Sequence, residues 1–241
     1  MLIINTLAID LEWVAPFDDK ETRGLPFYKD NGEEMIATTL CFDYAYNKNI
    51  SYYIDNDITV LTMDFDEYDK KQFEFMAIMP QENLSDYVEN ISKEQINQID
   101  KNLQFELHRI NVRIPKFKFD YDLKLKDDLI KLGIKDAFNQ NSADFSKMVD
   151  LEKVNSNMYI TDALHKADIE FTEKGVKAAA VTIIMGGFNG MGGRLDEPVD
   201  IIINKPFMFI IRDKNTKDIW FTGTVYEPNS WENEKESYNK N

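Results

Sequence analysis

Apolar residues along this chain recur mostly at alternate positions or in short unbroken runs, the mark of β-strands, and only locally at the spacing of a helix. Residues 1–13 open with an apolar, β-branched run and read as one strand. Residues 16–32 are turn-rich. Short runs then follow at 35–42, 50–54, 58–65 and 73–79, with Asn/Asp clusters between them, the spacing of a strand meander. The period changes over residues 84–103, where Ser85 and Ser92 sit at N-cap positions ahead of helically spaced apolar residues, predicting two short helices. Residues 105–114 alternate again, and the alternation continues past Pro115 through FKFDYDLKL. LKDDLIKLGI then returns to helical spacing, with Gly133 as its stop. A long strand is expected over 158–171. Two further runs, 199–211 and 219–225, are joined by a turn at 214–217; being apolar on both faces around Phe207, they read as central strands.

Strand, helix and strand again, with neither a regular βαβ alternation nor an internal repeat, predict an α+β fold dominated by antiparallel sheets. No stretch reads as an interdomain linker, so one domain over residues 1–241 is expected. The chain is 43% hydrophobic and 12% aromatic, enough for a substantial core and against disorder. Several of its 10 glycines crowd into residues 186–193, making that loop the strongest break in the chain.

The formal net charge of -15 opposes nucleic acid or an anionic membrane as partner, since both require cationic patches. No apolar run reaches the length of a transmembrane helix, and residues 1–13 lack the basic start and small-residue cleavage site of a signal peptide. Cys41 is the single cysteine and sits in a strand-like run, so a packed thiol is expected rather than a disulfide or zinc site. His108 and His165 alone do not make a multi-histidine metal site or a histidine-based triad. The run GGFNGMGG lacks the Lys-Ser/Thr of a phosphate loop, and DFDEYDKKQFE lacks the glycine of a calcium loop and reads as a solvated turn. No cofactor or metal is expected.

One segment carries more. DALHKADIEFTEKGVKAAAVT, residues 162–182, runs a strand through a glycine into small residues, and NKPFMFIIRDKNTKDIWFTGTVYEP, residues 204–228, follows at a fixed distance. Together these resemble the hinge and the closing strand pair of the serpins. IPKFKFDYDLKLKDDLIKLGIKDAF and SADFSKM resemble the passage before the hinge, and Asn5 and Trp13 keep the family's spacing near the start. The resemblance covers nearly all of the chain. It implies a serpin-like α+β fold whose first helices and first main-sheet strands would precede Met1; without them residues 1–13 would expose a sheet edge open to a missing N-terminal segment or to self-association.

The same resemblance implies a serine protease, or alternatively a cysteine protease, as partner; an extracellular setting; and no catalytic activity of the chain's own. A reactive loop over about residues 176–198 would be cleaved and would insert as a new strand. The hinge would comprise Glu173, Gly175, Val176, Ala178, Ala179, Ala180 and Thr182. Val176 stands where the family usually has threonine or serine, which keeps a non-inhibitory binding protein, or a fragment inactive alone, as alternatives. Counting from Gly175, one strand parity takes Val176, Ala178, Ala180, Thr182 and Ile184, all small or apolar, as an inserted strand requires. Family spacing puts the scissile bond at Asn189–Gly190, with Arg194–Leu195 as the alternative. Asn5, Trp13 and His165 would mark the sheet-opening region, His165 bonding across the sheet to Asn5; ordinary packing is the competing reading for Trp13 and His165.

Overall fold

The computed structural model describes residues 1–45, 49–104, 110–148, 157–176 and 197–232. In chain order these form strands β1 (Leu2–Ala8), β2 (Leu11–Glu12), β3 (Arg23–Tyr28), β4 (Glu34–Ala45), β5 (Ile50–Ile54), β6 (Ile58–Asp64) and β7 (Phe73–Pro80). Helices α1 (Leu84–Asn90) and α2 (Lys93–Asn102) come next, then β8 (Ile110–Pro115), β9 (Phe117–Lys124) and helix α3 (Lys126–Lys131). The last strands are β10 (Asp162–Phe171), β11 (Gly175–Val176), β12 (Val199–Ile202), β13 (Phe207–Asp213) and β14 (Ile219–Val225). The mixture of largely antiparallel sheets with a few short helices is the expected α+β class.

The chain divides into two compact units, Met1–Ile9 with Phe119–Ile169, and Asp10–Lys118 with Glu170–Asn241. In the first, β1 pairs in parallel with β10 from Leu2 opposite Asp162 to Ala8 opposite Asp168, and β9 pairs with β10 as well. Its small core gathers Phe138, Ile160 and Ala163, with Leu129 and Phe145 packed against them. Helix α3 ends as the sequence predicts: Gly133 takes a φ of +101°, and its N–H returns to the carbonyl of Ile130. Among the described residues β1 is the last strand of its sheet, and Leu2, Ile3 and Ile4 are 51%, 40% and 54% exposed.

In the second unit an antiparallel sheet runs in the order β14-β13-β7-β6-β5. Every residue of β7 is buried. One face is covered by α1 and α2 through Leu84 and Ile99, and aromatic rings surround Phe75. The guanidinium of Arg212, 1% exposed, lies within this packing and donates to Glu74 Oε1 at 2.7 Å and to Asp100 Oδ2 at 3.0 Å, which clips α2 to β13 and β7. A second sheet runs β12-β8-β4-β3, with β12 parallel to β8 and the other pairs antiparallel. It curls far enough for its two end strands to meet, the Tyr28 N–H donating to the Asn204 carbonyl at 2.9 Å. Beyond β14, Asn229 to Trp231 lie along β4: the Thr38 N–H donates to the Asn229 carbonyl at 2.9 Å, and Ser230 bridges Ala37.

Several elements differ from expectation, each for a local reason. The first run is two strands, broken at Ile9–Asp10, where Asp10 is exposed. The turn-rich stretch 16–32 holds a strand, β3, in spite of Gly24 and Pro26. Proline is tolerated because β3 is an end strand, and a Cβ on Gly24 would stand 2.6 Å from the Trp231 indole. The long strand before the hinge begins at Asp162 rather than at 158, and the run 199–211 is interrupted before Pro206. Of the closing strands β13 is central, as expected, but β14 is an end strand among the described residues. Helix α1 is capped by Asn83, whose side chain accepts from the N–H groups of Ser85 and Asp86, whereas Ser92 caps α2 in a capping box with Gln95. Cys41 is buried, as expected of a packed thiol.

Candidate hinge and sheet-opening site

The hinge begins as a tight turn. Thr172 donates from both its N–H, at 2.8 Å, and its hydroxyl, at 3.0 Å, to the Gly175 carbonyl. The turn sends Val176 back alongside Phe171 at the end of β10, and Val176 pairs on its other side with Leu11 of β2. Both pairings are antiparallel, and Val176 is fully buried. Glycine is required at 175: its φ is +154°, and a Cβ there would lie 2.0 Å from the carbonyl oxygen of Leu11 and 2.9 Å from the Cα of Glu12.

Trp13 fixes the other side of this turn. Its backbone N–H donates to the Lys174 carbonyl at 2.9 Å and its indole N–H to the Thr172 carbonyl at 3.0 Å. The ring stacks on Phe65 with centroids 4.2 Å apart and meets Phe75 and Phe171 edge-on. These contacts satisfy the indole N–H and bury the ring, 1% exposed, in an aromatic cluster.

Glu173 is the charged residue of the turn and is 6% exposed. Its carboxylate accepts from Lys116 Nζ at 3.1 Å and from the Thr22 hydroxyl at 2.9 Å, and its carbonyl accepts from the Phe17 N–H at 2.8 Å. Burial of a carboxylate is costly, and these donors offset it. Lys116 and Thr22 escaped the sequence reading because no local pattern links them to a glutamate so distant along the chain. Nearby, burial pushes the carboxyl of Asp64 above the usual range, against the pull of Lys214, whose ammonium stands 2.7 Å away.

In the other unit Asn5 stands opposite His165 in the β1–β10 pair, Asn5 Nδ2 and His165 Nδ1 being 3.4 Å apart at an exposed position. The expected site residues are thus placed in two sets: Trp13, Glu173, Gly175 and Val176 together, and Asn5 with His165 together. Ala178, Ala179, Ala180 and Thr182 of the hinge run, both expected cleavage sites, Asn189–Gly190 and Arg194–Leu195, and His108 lie outside the described residues. Among the described residues no group of three His, Cys, Asp or Glu side chains stands together to hold a metal ion.

The family model described as "Serpin (serine protease inhibitor)" matches residues 1–228. A serine protease inhibitor of Cyanea capillata is 28% identical over 230 residues, 94% of this chain and 57% of that protein. Intracellular coagulation inhibitor 2 of Tachypleus tridentatus is 32% identical over 233 residues, 94% of this chain and 52% of the relative. Among solved structures, the thermophilic serpin tengpin in its native state superposes with a TM-score of 0.70 at 27% identity, covering 93% of this chain and 55% of that one. The chain therefore spans a little over half the length of the relatives it matches. With the family matched over nearly its whole length and the same fold in solved relatives, this chain belongs to the serpins, the family of serine protease inhibitors.

Proposed function

We propose that this chain is the loop-bearing part of an extracellular, suicide-substrate inhibitor of serine proteases, whose loop over residues 176–198 is cut and then inserts as a new strand. The observation that supports this reading best is the pairing around the hinge. Val176 is already bonded on both sides, while the preceding length of β10 is paired directly with β1. Because β1 and β10 are parallel and β11 is antiparallel to β10, a strand continuing from Val176 along β10 would run antiparallel to both neighbours.

Insertion would break one ladder and form two. Over the seven residues of β1 the net gain is one ladder, on the order of 4–10 kcal/mol at ~0.5–1.5 kcal/mol per hydrogen bond. Ordering the same backbone costs about 1–2 kcal/mol per residue. The two nearly cancel, so the side chains entering the sheet decide the outcome, and the small or apolar parity beyond Val176, from Ala178 to Ile184, is what favours insertion. A protease held as an acyl-enzyme on the cut loop would then have its catalytic groups displaced, where about 1 Å of misplacement costs roughly two orders of magnitude in rate.

Incubation with a panel of serine proteases, read on denaturing gels, tests the proposal: a covalent adduct of higher mass is expected. Ala178→Arg, at the next position of the same parity, should raise the stoichiometry of inhibition severalfold by stalling insertion just beyond the paired Val176. Clean loop cleavage with no adduct from any protease would leave the scaffold as a binding protein and overturn the inhibitor reading.

A further inference from the structure

One face of the β12-β8-β4-β3 sheet is untouched by the inhibitor reading. Residues directly opposite one another on paired strands share a face, and here Arg23 lies opposite Thr39, Cys41 opposite Arg113, and Arg113 opposite Ile202. Leu25 and Phe27 follow Arg23 at the strand period, so they lie on the same side. Where the end of β3 approaches the chain just past β12, at Tyr28 and Asn204, lies a pocket of about 240 Å³ lined by residues 25–28 and 202–204 with Thr39 and Arg113. That is smaller than the ~300–1,000 Å³ of a drug-sized site, so its occupant is a small molecule with an apolar body.

The charge of the pocket is set by an unequal trio. Arg23 and Arg113 both bind the one carboxylate of Asp43, which leaves a guanidinium charge in excess beside the apolar wall. Burial works against the Asp43 charge, but its hydrogen bond to Arg113 and the two guanidiniums hold its carboxyl below the usual range, so it stays an anion already committed to both arginines. Arg113 donates from Nη1 to the carbonyls of Phe42 at 2.9 Å and Val112 at 2.8 Å, and from Nη2 to Asp43. These bonds use three of the five N–H groups of a guanidinium and leave two for a further acceptor. Among the described residues lining the pocket there is no acid to oppose an incoming anion.

We propose that this pocket binds a small apolar carboxylic acid, its hydrocarbon body against Leu25, Phe27 and Ile202 and its carboxylate on Arg113. The reactive loop and the insertion step play no part in this binding. Calorimetric titration of the full chain with octanoate, and with octanol as the neutral match, tests it. Octanoate should bind with a stoichiometry of one and octanol at least about tenfold more weakly, the loss expected for one charge-assisted contact. Ile202, 41% exposed at the rim, gives the variant that spares the fold. Ile202→Asp should weaken octanoate by about tenfold or more with an unchanged thermal midpoint, while Ile202→Lys should retain it. Arg113→Gln should lose octanoate selectively over octanol; if that variant does not fold, the Ile202 pair decides. Equal affinity for octanoate and octanol, unchanged affinity in Ile202→Asp, or no saturable binding at millimolar octanoate would overturn the assignment.

Discussion

The hinge turn and the β1–β10 pair are held in opposite ways. Around Gly175 the chain is immobilised by side chains: an aromatic stack, a buried carboxylate with two donors, and a glycine pressed against the Leu11 carbonyl. From Leu2 to Asn5 the backbone ladder does most of the work. Leu2, Ile3 and Ile4 face solvent, and the cross-strand bond from Asn5 to His165 is long and exposed. A ladder whose side chains face solvent, as at Leu2 to Ile4, can be parted and re-formed; a packed turn cannot slip. The insertion proposed above would use this contrast, the root of the loop staying fixed while the strands ahead of it separate.

Substitutions can break that comparison. The largest effect is expected for Trp13→Ala, about 3–5 kcal/mol of stability, because it empties the aromatic cluster and removes the indole donor from the Thr172 carbonyl; chemical denaturation measures it. Gly175→Ala should cost about 2–3 kcal/mol, since both the φ and the Leu11 carbonyl oppose a Cβ. Asn5→Ala should cost less than about 0.5 kcal/mol, as an exposed substitution outside any packed feature. An Asn5→Ala penalty equal to that of Trp13→Ala would show that β1 is locked by side chains after all.

The smallest effect sharpens the hinge side by pH. Buried Asp64 has its carboxyl raised, so the folded chain holds that proton more tightly than the unfolded chain does. Stability should therefore fall as pH rises from the ordinary carboxylate value of about 3.9 through the raised value, and level off above it. Asp64→Asn should flatten that slope in denaturation series between acid and neutral pH.

What the residue pattern revealed, and what it hid, follows the range of the interactions. Helices α2 and α3 were legible because their signals are local, the Ser92 capping box and the Gly133 stop. Strand β3 was hidden because Gly24 and Pro26 look like turn residues until Trp231 is seen over one and the sheet end beside the other. The parallel pairings of β1 with β10 and β12 with β8 carry no periodic mark that differs from an antiparallel one. At the hinge, Gly175 was legible through its motif, yet the reason for it, the Leu11 carbonyl, is a tertiary fact.

The strip from Asn229 to Trp231 lies just past the last family-matched residue, Pro228. A polypeptide cut where the likeness to relatives stops would lose the indole cap from Gly24 and the main-chain acceptor from Thr38, leaving the margin of β4 bare. The family boundary is therefore one place where this fold should not be trimmed.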